Sequence, residues 1–316
     1  MCKIPRNDEA TIEENLIQVL GEGHNQWNYR KDLKSEEDLW QNLRRKITQN
    51  NLSEIGENPI TDKEFDSIKI ELLLHTKTPF HAAKWLKGEN GIARITIDRE
   101  EVSLGSMSLI LYSNQDIGGG ISTYEVVNQI AKRKSDIDDR ERRFDVTLLI
   151  NGLPIVQIEL KQAGAKDGYY QAFNQIKKYA EEGMFRNNIF STLQLFVISN
   201  EHTTRYFANA LPKNMDRKFL FSWRTTDNRK VENIYEFVKQ VLNIPDAHRL
   251  IAHYTIVSED NDNKALMVLH PYQIHAIEAL FTSAMKHKSG FIWHATGSGK
   301  TLTSFVSTKL LARKPG

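Results

Sequence analysis

The 316-residue chain sets 42 lysines and arginines against 40 aspartates and glutamates for a net charge of +2, with 40% hydrophobic and 26% charged residues. That is the composition of a soluble protein with room for two domains. It excludes polyanion binding driven by net charge, so any nucleic-acid partner must be held by a local patch. The single cysteine, Cys2, excludes an intramolecular disulfide, the N-terminus lacks a signal-peptide core, and no run reaches the roughly 20 apolar residues of a membrane span. The expectation is a cytoplasmic protein with no membrane partner.

In chain order, Thr11-Ile12-Glu13-Glu14 reads as a capping box, followed at helical spacing by Ile12, Leu16, Val19 and Leu20 up to Gly21. Glu14 has a local role as the third residue of that box; from the helix it can also reach a metal. Ser35-Glu36-Glu37-Asp38 starts a second helix containing Leu39 and Leu43, with Arg44-Arg45-Lys46 as its solvated C-terminal end. Residues 64–76 look helical, while 92–98 and Met107 to Tyr112 read as strands. Gly118-Gly119-Gly120 reads as a flexible turn, since no lysine follows at phosphate-loop spacing. Residues 123–130 and the charged segment Lys132 to Arg143 then lead into a hairpin.

That hairpin, Arg143 to Lys161, sets two apolar, β-branched arms around Asn151-Gly152. On the second arm Val156, Ile158 and Leu160 alternate with Gln157, Glu159 and Lys161, so the two charges share a face. With a loop of Asn151-Gly152-Leu153, Ile150 faces Pro154 and Asp145 falls opposite Glu159. A two-residue loop puts Asp145 on the apolar face instead, where an unpaired charge costs on the order of several kcal/mol. The three-residue loop is therefore expected.

Beyond the hairpin, Asp167-Gly168 precedes a helix that runs to Glu182 and stops at Gly183, with Ala172, Phe173, Ile176 and Ala180 as its apolar stripe. Gln175 and Tyr179 lie one turn apart on a neighbouring stripe. Leu193 to Ile198 suits a buried strand, Phe219 to Trp223 a short one, and 231–242 a helix. Strands and helices mixed in this way point to α/β architecture. Polar residues 258–264 form the best linker candidate. After it come a helix from Gln273 to Met285, a short strand Phe291-Ile292-Trp293, and Ala295-Thr296-Gly297-Ser298-Gly299-Lys300-Thr301 opening another helix. The division is 1–257, a linker at 258–265, and 266–316.

Phosphodiester hydrolysis needs a hard cation, and Mg2+ prefers carboxylate, carbonyl and water oxygens. Asp145, Glu159 and the Leu160 carbonyl can supply them, and Lys161 can orient water or stabilise phosphate charge. The triplet is a loose pattern, and an exposed Glu-Lys pair on a half-solvated sheet is the structural alternative. Decoys at Asp32, Asp216 and Asp262 lack its setting at the end of an apolar strand. Gln175 and Tyr179 can hydrogen-bond a DNA phosphate or order the lysine. In the second constellation, Gly297, Ser298 and Gly299 aim backbone N–H groups at phosphate, Lys300 reaches the β/γ phosphates of ATP, and Thr301 ligates Mg2+; His294 replaces the first glycine of the strict motif. Gln273 can read an adenine edge or simply start its helix. The histidines show no zinc spacing.

Together, Arg143 to Lys161, Gln175 to Tyr179, Phe196 to Asn200, His270 to Gln273 and Trp293 to Thr301 resemble, in order, the N-terminal portion of the motor and endonuclease subunit of type I restriction enzymes. The resemblance spans roughly residues 140–312. It implies a PD-(D/E)xK nuclease domain, a mixed sheet flanked by helices, followed by the start of a RecA-like superfamily 2 motor. In those terms Asp145, Glu159 and Lys161 match the nuclease motif, Gln175 and Tyr179 its helix motif, and Lys300 and Thr301 the first ATPase motif. Further implications are Mg2+ and ATP as cofactors, double-stranded DNA as substrate, and modification and specificity subunits as partners. Because the acidic motor motif does not occur before Gly316, a fragment that cuts DNA without turning over ATP is expected. Alternatives are a nuclease-helicase of another class, such as a type III restriction or repair enzyme, or a non-catalytic DNA-holding module.

Overall fold

The computed structural model describes residues 8–23, 26–135, 138–165, 167–260 and 263–312. Helix α1 (Glu9–Leu20) starts earlier than the Thr11 box suggests, because the Asp8 carboxylate accepts from Thr11 N at 2.8 Å and caps it. After β1 (Asn28–Tyr29), α2 (Glu36–Asn50) carries the expected Ser35/Asp38 capping box. Its basic run is not a helix end. Buried Ile47 extends the apolar stripe past it, so Arg44 bonds Asp62 and the Ile60 carbonyl, each at 2.6 Å, and Lys46 reaches Glu125 at 3.2 Å.

Next come α3 (Leu52–Ile55), α4 (Asp62–His75) and α5 (Pro79–Lys87), the last unanticipated although Thr78 caps it and Pro79 sits in its first turn. Strands β2 (Ile92–Asp98) and β3 (Ser106–Ser113) pair antiparallel on their own. The charged segment before the hairpin is itself sheet: β4 (Tyr124–Ser135) and β5 (Asp138–Ile150) pair antiparallel along their length, and β6 (Leu153–Leu160) follows. Then come α6 (Gly168–Glu181), β7 (Leu195–Ser199) and an unanticipated β8 (Thr204–Ala208). The expected strand at 219–223 shrinks to a Tyr206–Phe221 bridge and β9 (Trp223–Arg224), paired with β10 (Lys230–Val231).

Helices α7 (Ile234–Val241) and α8 (Asp246–Tyr254) lead into β11 (Thr255–Asp260) and β12 (Asn263–Val268). Of the stretch read as a linker, residues 258–260 and 263–265 lie in these two antiparallel strands, and 261–262 lie outside the described residues. Helices α9 (Pro271–Met285) and α10 (Lys300–Leu311) close the chain. Phe291-Ile292-Trp293 is not a strand: no neighbouring strand pairs with it among the described residues, and Phe291 and Trp293 are 89% and 91% exposed.

Among the described residues the main sheet has six strands in the order β1-β4-β5-β6-β7-β8, parallel at β1/β4 and β6/β7 and antiparallel elsewhere. Every residue of the central strand β6 is buried, as expected where a sheet is covered on both faces. Helix α6 packs against β6 and β7, and α1 against β5 and β6. No described helix is long and apolar enough to cross a membrane.

The hairpin register corrects the expected loop and keeps its consequence. Ile150 pairs with Leu153, so the turn is the two-residue Asn151-Gly152, both left-handed at φ 53° and 79°. The parity then changes at a bulge: Leu149 pairs with Pro154 but Leu148 with Val156, leaving Ile155 extra. The Ile155 carbonyl accepts from Gln194 N at 2.9 Å, and the Pro154 carbonyl from the Thr192 hydroxyl at 2.7 Å. Pairing runs on to Val146 with Ile158, which leaves Asp145 and Glu159 as the next residues along. A turn that alone would have buried Asp145 on the wrong face is compensated one step later.

Candidate active site

Asp145 and Glu159 meet where β5 and β6 leave the antiparallel ladder. The Asp145 carboxylate accepts from Leu160 N at 2.7 Å, which ties one acid to the strand that carries the other. Glu159 is fully buried; its Oε1 lies 3.5 Å from Lys161 Nζ, and its Oε2 has no partner. A buried polar atom left unsatisfied costs free energy that folding alone does not recover. Burial, opposed by the Leu160 N–H and by Lys161, pushes Asp145 up to about 7. Burial and then the neighbouring charge of Asp145 push Glu159 well above the usual carboxylate range. Two acids thus share a site whose surroundings offer too little positive charge to ionise both. The exposed Glu-Lys pair on a half-solvated sheet is not what forms.

Lys161 projects at the same end. Its Nζ donates to the Leu160 carbonyl at 2.6 Å and lies 3.8 Å from Glu9 Oε2. The Leu160 carbonyl, expected as a ligand, accepts from the lysine through one of its two lone pairs. On α6, Gln175 Nε2 donates to the Tyr179 hydroxyl at 2.6 Å, and Tyr179 packs edge-on against Phe144. Burial, then the charge of Glu159, pushes the Tyr179 phenol up to about 12, so it stays a proton donor. All five sequence-predicted nuclease residues therefore converge.

Of the two glutamates on α1, it is Glu13 and not Glu14 that faces the acids. Glu14 is exposed, whereas Glu13 is buried, accepts from Asn128 Nδ2 at 2.7 Å and Gln129 Nε2 at 2.5 Å, and adds its charge to those acting on Asp145. Gln129 sits between the pairs Asn128–Val146 and Ile130–Phe144, across from Asp145, in a left-handed conformation at φ 54°. The signal for Glu13 was available: it falls on the apolar stripe of α1, whose buried residues are Ile12, Glu13, Leu16, Ile17 and Leu20. Among the described residues no group of three or more histidines, cysteines, aspartates or glutamates forms a metal cage. The unpartnered Glu159 oxygen beside Asp145 fits a cation held by two carboxylates rather than a closed cage.

The phosphate loop is a separate locus. Gly297 and Gly299 are left-handed at φ 77° and 75°, Ser298 N and Oγ both donate to the Ala295 carbonyl, and Lys300 and Thr301 open α10 exposed. Tyr272 donates its hydroxyl to the Ser298 carbonyl at 3.0 Å. Gln273 is buried, and its Oε1 accepts from His270 N at 3.0 Å as part of a capping box. Its amide also lies 2.5 Å from where a Cβ on Gly299 would stand, so a side chain there would be strained by its φ and would have to displace the end of Gln273.

Residues 6–215 match the family described as Type I restriction enzyme R protein N terminus, and residues 266–316 match Type III restriction enzyme, res subunit. Among similar proteins are type I restriction enzyme endonuclease subunits of Staphylococcus aureus strain MSSA476, 31% identical over 90% of this chain and 28% of its own, and of Staphylococcus saprophyticus, 33% identical over 89% and 28%. The EcoprrI endonuclease subunit of Escherichia coli is 35% identical over 52% of this chain and 54% of its own. The chain spans 28% of the length of the staphylococcal relatives. With its family match running from before α1 to beyond β8, the chain belongs to the type I restriction enzyme R protein N-terminal family.

Proposed function

We propose that this chain is the nuclease portion of an ATP-dependent type I restriction subunit and that Asp145, Glu159 and Lys161 cut double-stranded DNA with Mg2+. The observation that carries the reading is the buried, unpartnered Oε2 of Glu159 beside Asp145. Asp145 and Glu159 would hold the ion, which when bound neutralises phosphate charge and favours ionisation of the attacking water. Lys161, fixed by the Leu160 carbonyl and by Glu159, directs an ammonium at the scissile phosphate. Tyr179, held by Gln175, keeps its proton and donates a hydrogen bond to a phosphate oxygen or orders the lysine.

In this reading residues 1–257 form a PD-(D/E)xK nuclease domain and 266–316 open a RecA-like superfamily 2 motor. The two separate family matches support that division. Gly297 to Thr301 would cradle ATP phosphates with Gln273 at the adenine, and ATP-driven translocation belongs to the full-length protein. Modification and specificity subunits are the proposed partners, supported by relatives described as endonuclease subunits of type I enzymes. The test is cleavage of supercoiled plasmid with and without Mg2+, for wild type and for Glu159→Ala and Lys161→Ala. Cleavage lost in both variants with folding intact supports the reading; cleavage that persists favours a DNA-holding module.

A further inference from the structure

Paired residues in adjacent strands share a face, and the row that carries the acids continues past them. Glu159 pairs with Ile198 across β6/β7, and Ile198 pairs with Arg205 across β7/β8. Two strand spacings put Arg205 roughly 10 Å from Glu159, on the same face. There the Arg205 guanidinium lies over the Tyr169 ring at 5.2 Å, and Tyr169 packs against Tyr170 with centroids 4.2 Å apart and the rings tilted by 34°. The Arg217 guanidinium then covers the Tyr170 ring at 4.6 Å. The result is an Arg-Tyr-Tyr-Arg ladder that starts on the row of catalytic acids and runs outward past the first turn of α6, the helix that also carries Gln175 and Tyr179.

The two arginines differ. Arg205 is fixed by the Thr204 carbonyl at 2.7 Å and Glu232 at 3.3 Å. Arg217 is exposed; it touches Asn174 Oδ1 at a long 3.4 Å and makes no ion pair among the described residues. A guanidinium stacked on a ring keeps its N–H edges open, and its fixed plane lowers the entropy lost when it grips an oxyanion. Planar, bidentate donors of this kind match phosphate.

We propose that this ladder is a rail for the phosphate backbone of duplex DNA, with Arg217 as the contacting cation, and that it lays the strand alongside Asp145 and Glu159. The inference rests on the nuclease reading, because the acids give the rail its purpose. It is tested on the full chain by fluorescence anisotropy of a short duplex without divalent metal, across a range of salt, so that binding is read apart from cutting. Arg217→Ala should weaken binding roughly three- to tenfold at low salt and make the slope of log K against log salt shallower by about 0.9, the loss of one phosphate contact. Arg217→Glu should lose more and Tyr170→Ala an intermediate amount. Tyr170→Phe, which keeps the ring, and Lys63→Ala, an exposed lysine on α4, should bind as wild type. Wild-type affinity and slope in both Arg217 variants overturn the rail, as does a wild type with no salt-dependent duplex binding. A chain that binds through Arg217 yet cuts nothing with Mg2+ overturns the nuclease reading alone; one that cuts but ignores Arg217 overturns the rail alone.

Discussion

The glycine loop at 295–301 and the acid pair, the two sites proposed for phosphate chemistry, differ in construction. From Ala295 to Thr301 what bends the backbone is local: two left-handed glycines, a serine turned back on Ala295, and a helix starting at Lys300. Tyr272 and Gln273 reach in from α9. Around Asp145 and Glu159 the contributions come from α1, β4, β5, β6 and α6, and a bulge at Ile155 sets which residues meet. The loop is exposed and its charge is solvated, whereas the acids are buried and short of positive charge. Local motifs therefore survive almost any context, while the acid pair derives its properties from burial that only tertiary packing creates.

The largest effect that would break this comparison is on cutting. Glu159→Ala or Lys161→Ala should lower Mg2+-dependent plasmid cleavage by on the order of 10²–10³ or more, the usual cost of removing a preorganised charge. Lys300→Ala in the same chain should leave cleavage within about twofold, because in the proposed reading the loop takes ATP and not the phosphodiester. Loss of cutting in Lys300→Ala would join the two loci.

A smaller effect lies in stability against pH. Asp145 is raised from 3.8 to about 7 and Glu159 is raised well above its ordinary value, so between about 4 and 7 the metal-free native state holds more protons than the unfolded chain. Stability must then fall as pH rises through that window. The melting temperature of metal-free protein should be higher at pH 5 than at pH 8. Glu159→Gln, which cannot ionise, should flatten the profile and raise the pH 8 value by about 2–6 °C. A profile unchanged in Glu159→Gln would show that Glu159 is not the strained acid.

Smaller still are the glycines. Gly152→Ala forces a Cβ to within 3.0 Å of Leu43 Cα at φ 79°, and should cost about 1–2 kcal/mol in urea unfolding. Gly299→Ala meets only the end of the Gln273 side chain, in an otherwise exposed loop, and should cost about 1 kcal/mol or less while weakening nucleotide binding. Equal costs would mean that the loop is as rigidly packed as the hairpin.

How much of this was legible follows the same division. The alternation Val156, Ile158, Leu160 against Gln157, Glu159, Lys161 showed which residues share a face, and the glycine spacing showed the turn that opens α10. The bulge was not legible, because Ile155 looks like any other apolar strand residue until Gln194 is seen taking its carbonyl. Parity reasoning reached the right pair by the wrong turn. The burial of Glu13 was masked by reading α1 as starting at Thr11 when Asp8 caps it, and the position of Arg205 by not recognising β8. Polar residues 258–260 and 263–264 show the converse error, strands mistaken for a linker because polarity alone does not separate the two.

The most direct test of the account is calorimetric titration of the chain with Mn2+ or Mg2+ at pH 7 in two buffers of different ionisation enthalpy. The acid pair predicts binding accompanied by proton release, since Asp145, raised to about 7, is partly protonated at that pH, Glu159 is raised in the same direction, and a carboxyl must be ionised to ligate a cation. It predicts that Asp145→Asn and Glu159→Gln each abolish both signals. Binding that persists unchanged in Glu159→Gln, or that releases no protons in wild type, would contradict it.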